Sequence, residues 1–291
     1  MKTVDELMSA VLAGERGPDP AGSTATSVFW VHHGTRLAGG DVTYLNQYVL
    51  VRLGGSFGAC AFEPGELDSA VCRDASGSPL DTLLREAPRP LRIAALDAFL
   101  AEGRPHREAP DAEAVTLPAG SPEERAAARD AAVAGLLDLP GSPGPTGLSG
   151  PADTSGPAGG PRVAVIGVVN PLMAAVRARG GTPLPCDFTL RTTAWGDPVS
   201  RDMHEVLDRA DAVVATGMTI GNGTFDTLIG HCRDRALPLV VYAQTGSAIA
   251  REFLGSGVTA LSAEPFPFSQ FSGGPTALYR YRDRDRAASR S

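Results

Sequence analysis

Lysine is almost missing from this chain: of its 26 Lys and Arg residues only Lys2 is a lysine. A Schiff base to pyridoxal phosphate or to a carbonyl substrate needs a desolvated lysine, and a Walker loop needs one directly after its glycines. A lysine so near a chain end, where order is weakest, serves neither, so both chemistries are excluded. Excess positive charge is missing too. Against 33 Asp and Glu the balance is −7, and without a basic footprint no nucleic-acid partner is expected. No run approaches eighteen apolar residues and no basic segment leads into an apolar one, so neither a membrane span nor a signal peptide is expected. The cysteines Cys60, Cys72, Cys186 and Cys232 form no C-x-x-C pair, which suits reduced, buried thiols in the cytoplasm. The G-x-G-x-x-G pyrophosphate turn is also absent, since "RVAVIG" is followed by "VVNP".

With 43% hydrophobic residues over 291 positions, the chain can bury a sizeable core, and its length favours two domains. Residues 28 to 63 hold three β-rich runs, "SVFWVHHG", "VTYLNQYVLVRL" and "FGACAFE". Glycine pairs separate them, which predicts an antiparallel meander. "SPLDTLLREA" and "RPLRIAALDAFLAE" follow with helical periodicity, completing a small α+β domain over residues 1–110. Residues 111–161 read as a connection. Within it Ser121, Pro122 and Glu124 open a helix with a capping box, and Pro140 to Pro161 form a Pro/Gly/Ser-rich flexible linker.

From Arg162 onward short apolar runs alternate with helical segments, so residues 162–291 are expected to form a Rossmann-like, doubly wound parallel sheet. Ligands of such sheets bind beyond the carboxyl ends of the strands. That rule collects Gly167 to Asn170, Cys186 with Asp187, Thr216 to Thr224 in "TGMTIGNGT", and Gln244 to Ser247 in "QTGS". Gly217, Gly221 and Gly223 would admit a ligand close to the backbone, and Asn222, Thr224 and Ser247 would hydrogen-bond it. Asn170, Thr216, Thr245 and Gly246 complete the candidate set. Free N–H groups at helix starts after "TGMTIGNGT" and "QTGS" would attract an anion. The competing reading is that the glycines make tight turns, with Asn222 and Thr224 as caps.

For a metal, the sequence offers His32, His33, His204, His231, Cys186, Cys232 and Asp187, without an H-x-x-x-H pair. His32 and His33 would point to opposite faces of one strand. Cys186 with Asp187, at a strand's carboxyl end, is the best ligand pair.

The blocks "RVAVIGVVNPL", "DAVVATGMTIGNGTFDTLI" and "LVVYAQTGSAIAREFLGSGVTAL", preceded by "NQYVLVRLGGSFGACAFE" and "PRPLRIAALDAFLAE", resemble the putative heavy-metal chelation family. The T-G-x-T-x-x-N-G-T block at Thr216 to Thr224 carries most of the likeness. Where that family continues into a G-P-S/T-x-P loop, this chain has "AQTGSAI", keeping glycine and serine. The resemblance implies an enolase-N-terminal-like α+β domain joined to a Rossmann-like domain, and a heavy-metal ion or metal chelate as ligand. The expectation is a cytoplasmic two-domain protein, a homodimer being compatible with it, that binds a small polar or metal ligand in a cleft. The alternative is a small-molecule biosynthetic enzyme with a nucleotide-type cosubstrate such as S-adenosylmethionine, using Asp187 or Glu264 as a ribose contact or general base.

Overall fold

The computed structural model describes residues 2–36, 43–139 and 160–283. Most of the Pro/Gly stretch expected as a linker therefore lies outside the described residues.

A helix α1 (Val4–Leu12), capped by the Thr3 side chain, precedes the expected meander. Strand β1 (Ser27–Arg36) pairs antiparallel with β2 (Thr43–Leu53), placing Ser27 opposite Arg52 and Val31 opposite Tyr48. Strand β3 (Ser56–Ala61) returns along β2 after a two-residue turn, in which Gly54 takes φ +55°. Left-handed φ at the first turn position is what a twist-matched hairpin demands, and glycine meets it without strain.

The helices α2 (Val71–Ala75), α3 (Leu80–Glu86) and α4 (Arg89–Gly103) cover one face of this sheet. Helix α4 is apolar nearly all round and, Arg92 apart, buried from Pro90 to Ala101, so it must be packed on almost every side. On one side lies β3. A Cβ on Gly58 would stand 2.0 Å from the Ala98 nitrogen and 2.2 Å from the Ala94 carbonyl oxygen, so strand and helix backbones touch there. On the other side lies the second sheet.

That sheet is built on β5 (Arg162–Ile166), β6 (Thr182–Cys186), β7 (Ala212–Thr216), β8 (Leu239–Ala243) and β9 (Ala260–Ala263), all parallel. Among the described residues two further strands, β4 (Glu113–Leu117) and β10 (Thr276–Arg282), extend it antiparallel beyond β9, giving the order β4-β10-β9-β8-β7-β5-β6. Strand order reverses between β5 and β7. This is the doubly wound pattern, and its switch point opens beyond Ile166 and Thr216.

Alternate residues feed the two faces, as the period of a strand requires. Val163, Val165 and Val214 pack with Val133 and Leu137 of the connecting segment and with Leu172 and Val176 of α6 (Asn170–Ala178). Ala164, Ile166, Val213 and Val241 face the opposite layer, made by α7 (Met203–Arg209), α8 (Met218–Gly221), α9 (Phe225–Asp234), α10 (Ser247–Arg251) and the back of α4. The capping-box helix α5 (Pro122–Ala134) forms as expected, with Ser121 accepting from the Glu124 nitrogen and Glu124 accepting from the Ser121 nitrogen. It lies beside α6 and over the switch point. No helix among the described residues is long and apolar enough to cross a membrane.

Candidate functional site

The carboxyl ends of β5, β7, β8 and β9 and the outer part of the three-stranded sheet enclose a cleft of about 1320 Å³. Gly167 and Thr216 form its floor at the switch point. Gly167 has φ +84°, and a Cβ there would meet the Thr216 methyl at 2.5 Å, so glycine keeps the floor open. The Tyr242 hydroxyl donates to the Gly167 carbonyl at 2.8 Å and holds the turn in place. Asp187 lines one wall, with its Oδ2 accepting from the Val168 nitrogen at 3.0 Å and its Oδ1 from the nitrogens of Thr189 and Leu190 at 2.8 and 3.1 Å. A ribose contact at Asp187 would have to compete with these loop bonds.

A polar group converges on the opposite wall. Glu264, at the end of β9, is buried and accepts from the Ser269 nitrogen and from Gln244 Nε2, the latter at 2.8 Å. Gln244 Nε2 also donates to Gln270 Oε1 at 2.9 Å, and Gln270 in turn meets the Tyr48 hydroxyl. From α5, Arg129 reaches the cleft while its Nε donates to Asp130 at 2.8 Å. Burial works against the charge of Arg129, but the Asp130 and Glu264 carboxylates outweigh it and hold the guanidinium protonated. Burial pushes the Tyr48 hydroxyl up to about 12, so it is a proton donor at neutral pH. His33 enters from β1 beside Phe271, with Nε2 2.9 Å from Thr35 Oγ1; burial lowers its pKa.

Of the residues singled out in the sequence, Gly167, Asp187, Thr216, Gln244, Glu264, His32 and His33 line this cleft, whereas Asn170, Cys186, Gly217, Gly221 to Thr224 and Thr245 to Ser247 do not. Asn170 accepts from the Ala194 nitrogen at 3.1 Å and steadies the loop after Asp187. The glycine-rich block turns instead towards the first sheet. Gly217 lies under the Thr245 carbonyl, which a Cβ would approach to 2.2 Å, and Gly221 faces Cys60 Sγ and the Ala61 carbonyl. Arg89, at the start of α4, donates to the carbonyls of Ile220 and Gly221, both at 3.1 Å. Gly223 takes φ +81°, and Asn222 Oδ1 accepts from the nitrogen and hydroxyl of Thr224 at 3.1 and 2.7 Å, a local turn.

The "QTGS" loop does bind an anion, and the anion is the protein's own. Asp97 of α4 accepts from the nitrogens of Ala248 and Ile249 at the start of α10, at 2.8 and 3.4 Å, and from Ala59 at 3.0 Å. Gly246, at φ +66°, donates to the Ala59 carbonyl, and Thr245 is buried. Ser247 Oγ is 3.2 Å from His106 Nε2, whose Nδ1 meets the Tyr281 hydroxyl at 2.7 Å.

Among the described residues no group of three His, Cys, Asp or Glu side chains could hold a metal ion. Cys186 is buried, and burial followed by the Asp187 charge pushes its thiol to about 11. A soft ion needs a thiolate. Cys186 with Asp187, whose oxygens are engaged as described, does not fit a heavy-metal ion as the two stand. Burial likewise raises Cys60, and Cys232 to about 12. Cys72 alone of the four is not buried. In the native protein at neutral pH a maleimide is therefore expected to label Cys72 first, one thiol per chain, and the rest on unfolding. Rapid native labelling of Cys186, seen by peptide mass spectrometry, would contradict this.

Arg129, Tyr48 and Gln270 were not singled out by sequence reading. Arginine on a helix is ordinarily exposed, and no local spacing reveals that α5 lays Arg129 over a sheet edge.

Residues 151–263 match the DUF364 family model, described as "Putative heavy-metal chelation". Among curated proteins none matches. A DUF364 protein of unknown function from Desulfitobacterium hafniense DCB-2 is similar in structure, at 15% identity and a TM-score of 0.57, over 94% of this chain and 96% of that one. Another from Pyrococcus horikoshii aligns over 88% of this chain and 94% of its own, at 16% identity and a TM-score of 0.48. The match spans residues 151–263, which hold the parallel strands and the cleft floor, and over that part the chain is similar to the DUF364 family.

Proposed function

We propose that the protein binds a small polar organic ligand in the cleft between its two sheets, acting in the cytoplasm, and that any metal arrives already held in a chelate. The observation that carries this reading is the convergence of Arg129, Tyr48, Gln244 and Glu264 in one cleft at the switch point. Such a concave site, with few polar groups set among aromatic and apolar walls, is the usual form of a small-molecule pocket. The family description points to chelation. The absence of a three-ligand cluster among the described residues favours recognition of the chelator over direct ligation. The free cysteines fit a reducing compartment.

Native mass spectrometry of gently purified protein is expected to show a retained organic mass. Elemental analysis after dialysis against EDTA should then find no stoichiometric transition metal. A metal that survives EDTA and is lost in Cys186→Ser would sink this reading in favour of direct thiolate ligation.

A further inference from the structure

The polar wall of the cleft has a fixed direction. A carboxylate only accepts hydrogen bonds, so Glu264 forces Gln244 to turn its amide nitrogen towards it. The same nitrogen supplies Gln270 Oε1, which uses the second N–H and leaves Gln244 Oε1 as an oriented acceptor. Gln270, its oxygen supplied by Gln244, lines the cleft beside Tyr48 and favours the Tyr48 oxygen as an acceptor. The Tyr48 oxygen thus accepts, and its O–H proton is left to donate into the cleft. Tyr48 itself cannot swing away, because it is 5% exposed and its ring packs edge-on against Phe268 at 5.6 Å.

Arg129 adds a cation to the same wall. Its Nε is committed to Asp130, and among the described residues its terminal nitrogens meet no acceptor. Its side chain is 19% exposed, and that exposure is to the cleft. The Asp130 charge is spent on Arg129. Both Glu264 oxygens and both Asp187 oxygens already accept bonds from the protein. The wall therefore offers two donors, Arg129 and the Tyr48 hydroxyl, with an acceptor, Gln244 Oε1, on the anionic Glu264 side.

We infer that the cleft recognises a carboxylate with a neighbouring amino or hydroxyl donor, the carboxylate meeting Arg129 and Tyr48 and the donor meeting Gln244. The assignment rests on the cleft being the binding site. A guanidinium and a phenol match a carboxylate through charge-assisted bonds, strengthened where water is scarce. The aromatic walls formed by Phe62, Phe271 and Tyr242 accommodate the remainder of such a molecule.

The test uses the full chain and four compounds sharing one aromatic body: phenylalanine, phenyllactate, 3-phenylpropionate and phenylalaninamide. Binding is followed by titration calorimetry and by hydrogen exchange at the Gly167 and Tyr242–Gln244 segments. Phenylalanine or phenyllactate should bind about tenfold more tightly than 3-phenylpropionate, which lacks the donor, and than the amide, which lacks the anion. Which of the two binds better tells amino from hydroxyl recognition. Tyr48→Phe should reduce the preference for acid over amide about threefold. Arg129→Met should abolish it but leaves Asp130 buried without its partner, so Tyr48→Phe is the variant that decides if Arg129→Met does not fold. Equal affinity for acid and amide, or no binding by any of the four, overturns the assignment. If cleft segments are protected without acid preference, the cleft stands and only the ligand class falls. Protection confined to other segments overturns the cleft reading and this inference with it.

Discussion

Asp97→Ala is expected to lower the stability of the whole chain by about 3–5 kcal/mol at neutral pH, because it leaves several buried N–H groups without acceptors. One oxygen accepts from Ala248 and Ile249 at the start of α10, the other from Ala59 on β3. Asp97 is 2% exposed, so water cannot replace it. A single carboxylate thus joins the first sheet to the second. Burial, resisted by those N–H bonds, lifts its pKa to about 6. The folded protein then holds this proton more tightly than the unfolded chain does. The resulting contribution is fully present below the ordinary carboxylate range and is lost as pH rises towards about 6. Asp97→Asn keeps one acceptor and cannot ionise. It is expected to be less stable than wild type at neutral pH, from the amide nitrogen facing an N–H, and to lack that group's decline in stability between about pH 4 and 6. Urea unfolding at several pH values checks both. An Asp97→Ala protein within 0.5 kcal/mol of wild type, a margin about that of a surface substitution, would contradict the linking role.

The meander, the capping-box helix and the parallel rhythm after Arg162 were legible because each is written in local periodicity. Strands β4 and β10 were not. "EAVTL" is five residues long and "TALYRYR" carries two arginines, so neither gives the continuous apolar run of a buried strand. The sheet edge they extend is settled by tertiary pairing. Asp97 had a signal: an acid in the Ile93–Ala101 stretch of a helix, otherwise wholly apolar, must be buried and partnered. Its partners, on α10 and β3, are distant in sequence, and no spacing rule finds them. For the same reason the candidate site was legible only in part. The rule for parallel sheets leads to Gly167, Asp187, Thr216 and Gln244, whereas Tyr48 and Arg129 come from the other sheet and from the connecting segment.

Gly217→Ala is expected to destabilise the protein by about 1–3 kcal/mol or more, the cost of forcing extra volume into a packed interior. The added Cβ would stand 2.2 Å from the Thr245 carbonyl and 2.9 Å from the Ala243 Cβ. Both lie on backbone that cannot rotate aside, and the Gly217 nitrogen is itself fixed to the Tyr242 carbonyl at 2.8 Å. Moving the loop after β8 would disturb Gly246 and the Asp97 contacts, so the damage would spread to the junction between the sheets. Asn222→Ala removes only the turn to Thr224 at the surface and should cost about 0.5–1 kcal/mol. If "GNGT" held the ligand, the ranking would change in binding. Asn222→Ala would then weaken affinity while leaving the fold almost intact. The geometry gives the opposite expectation: Asn222→Ala binds phenylalanine or phenyllactate as wild type does, and Gly217→Ala loses melting temperature before it loses affinity. Parallel calorimetric titrations and thermal melts of the two variants separate these cases. A Gly217→Ala protein as stable as wild type would mean that the block is not the close-packed joint that its 2.2 Å approach describes.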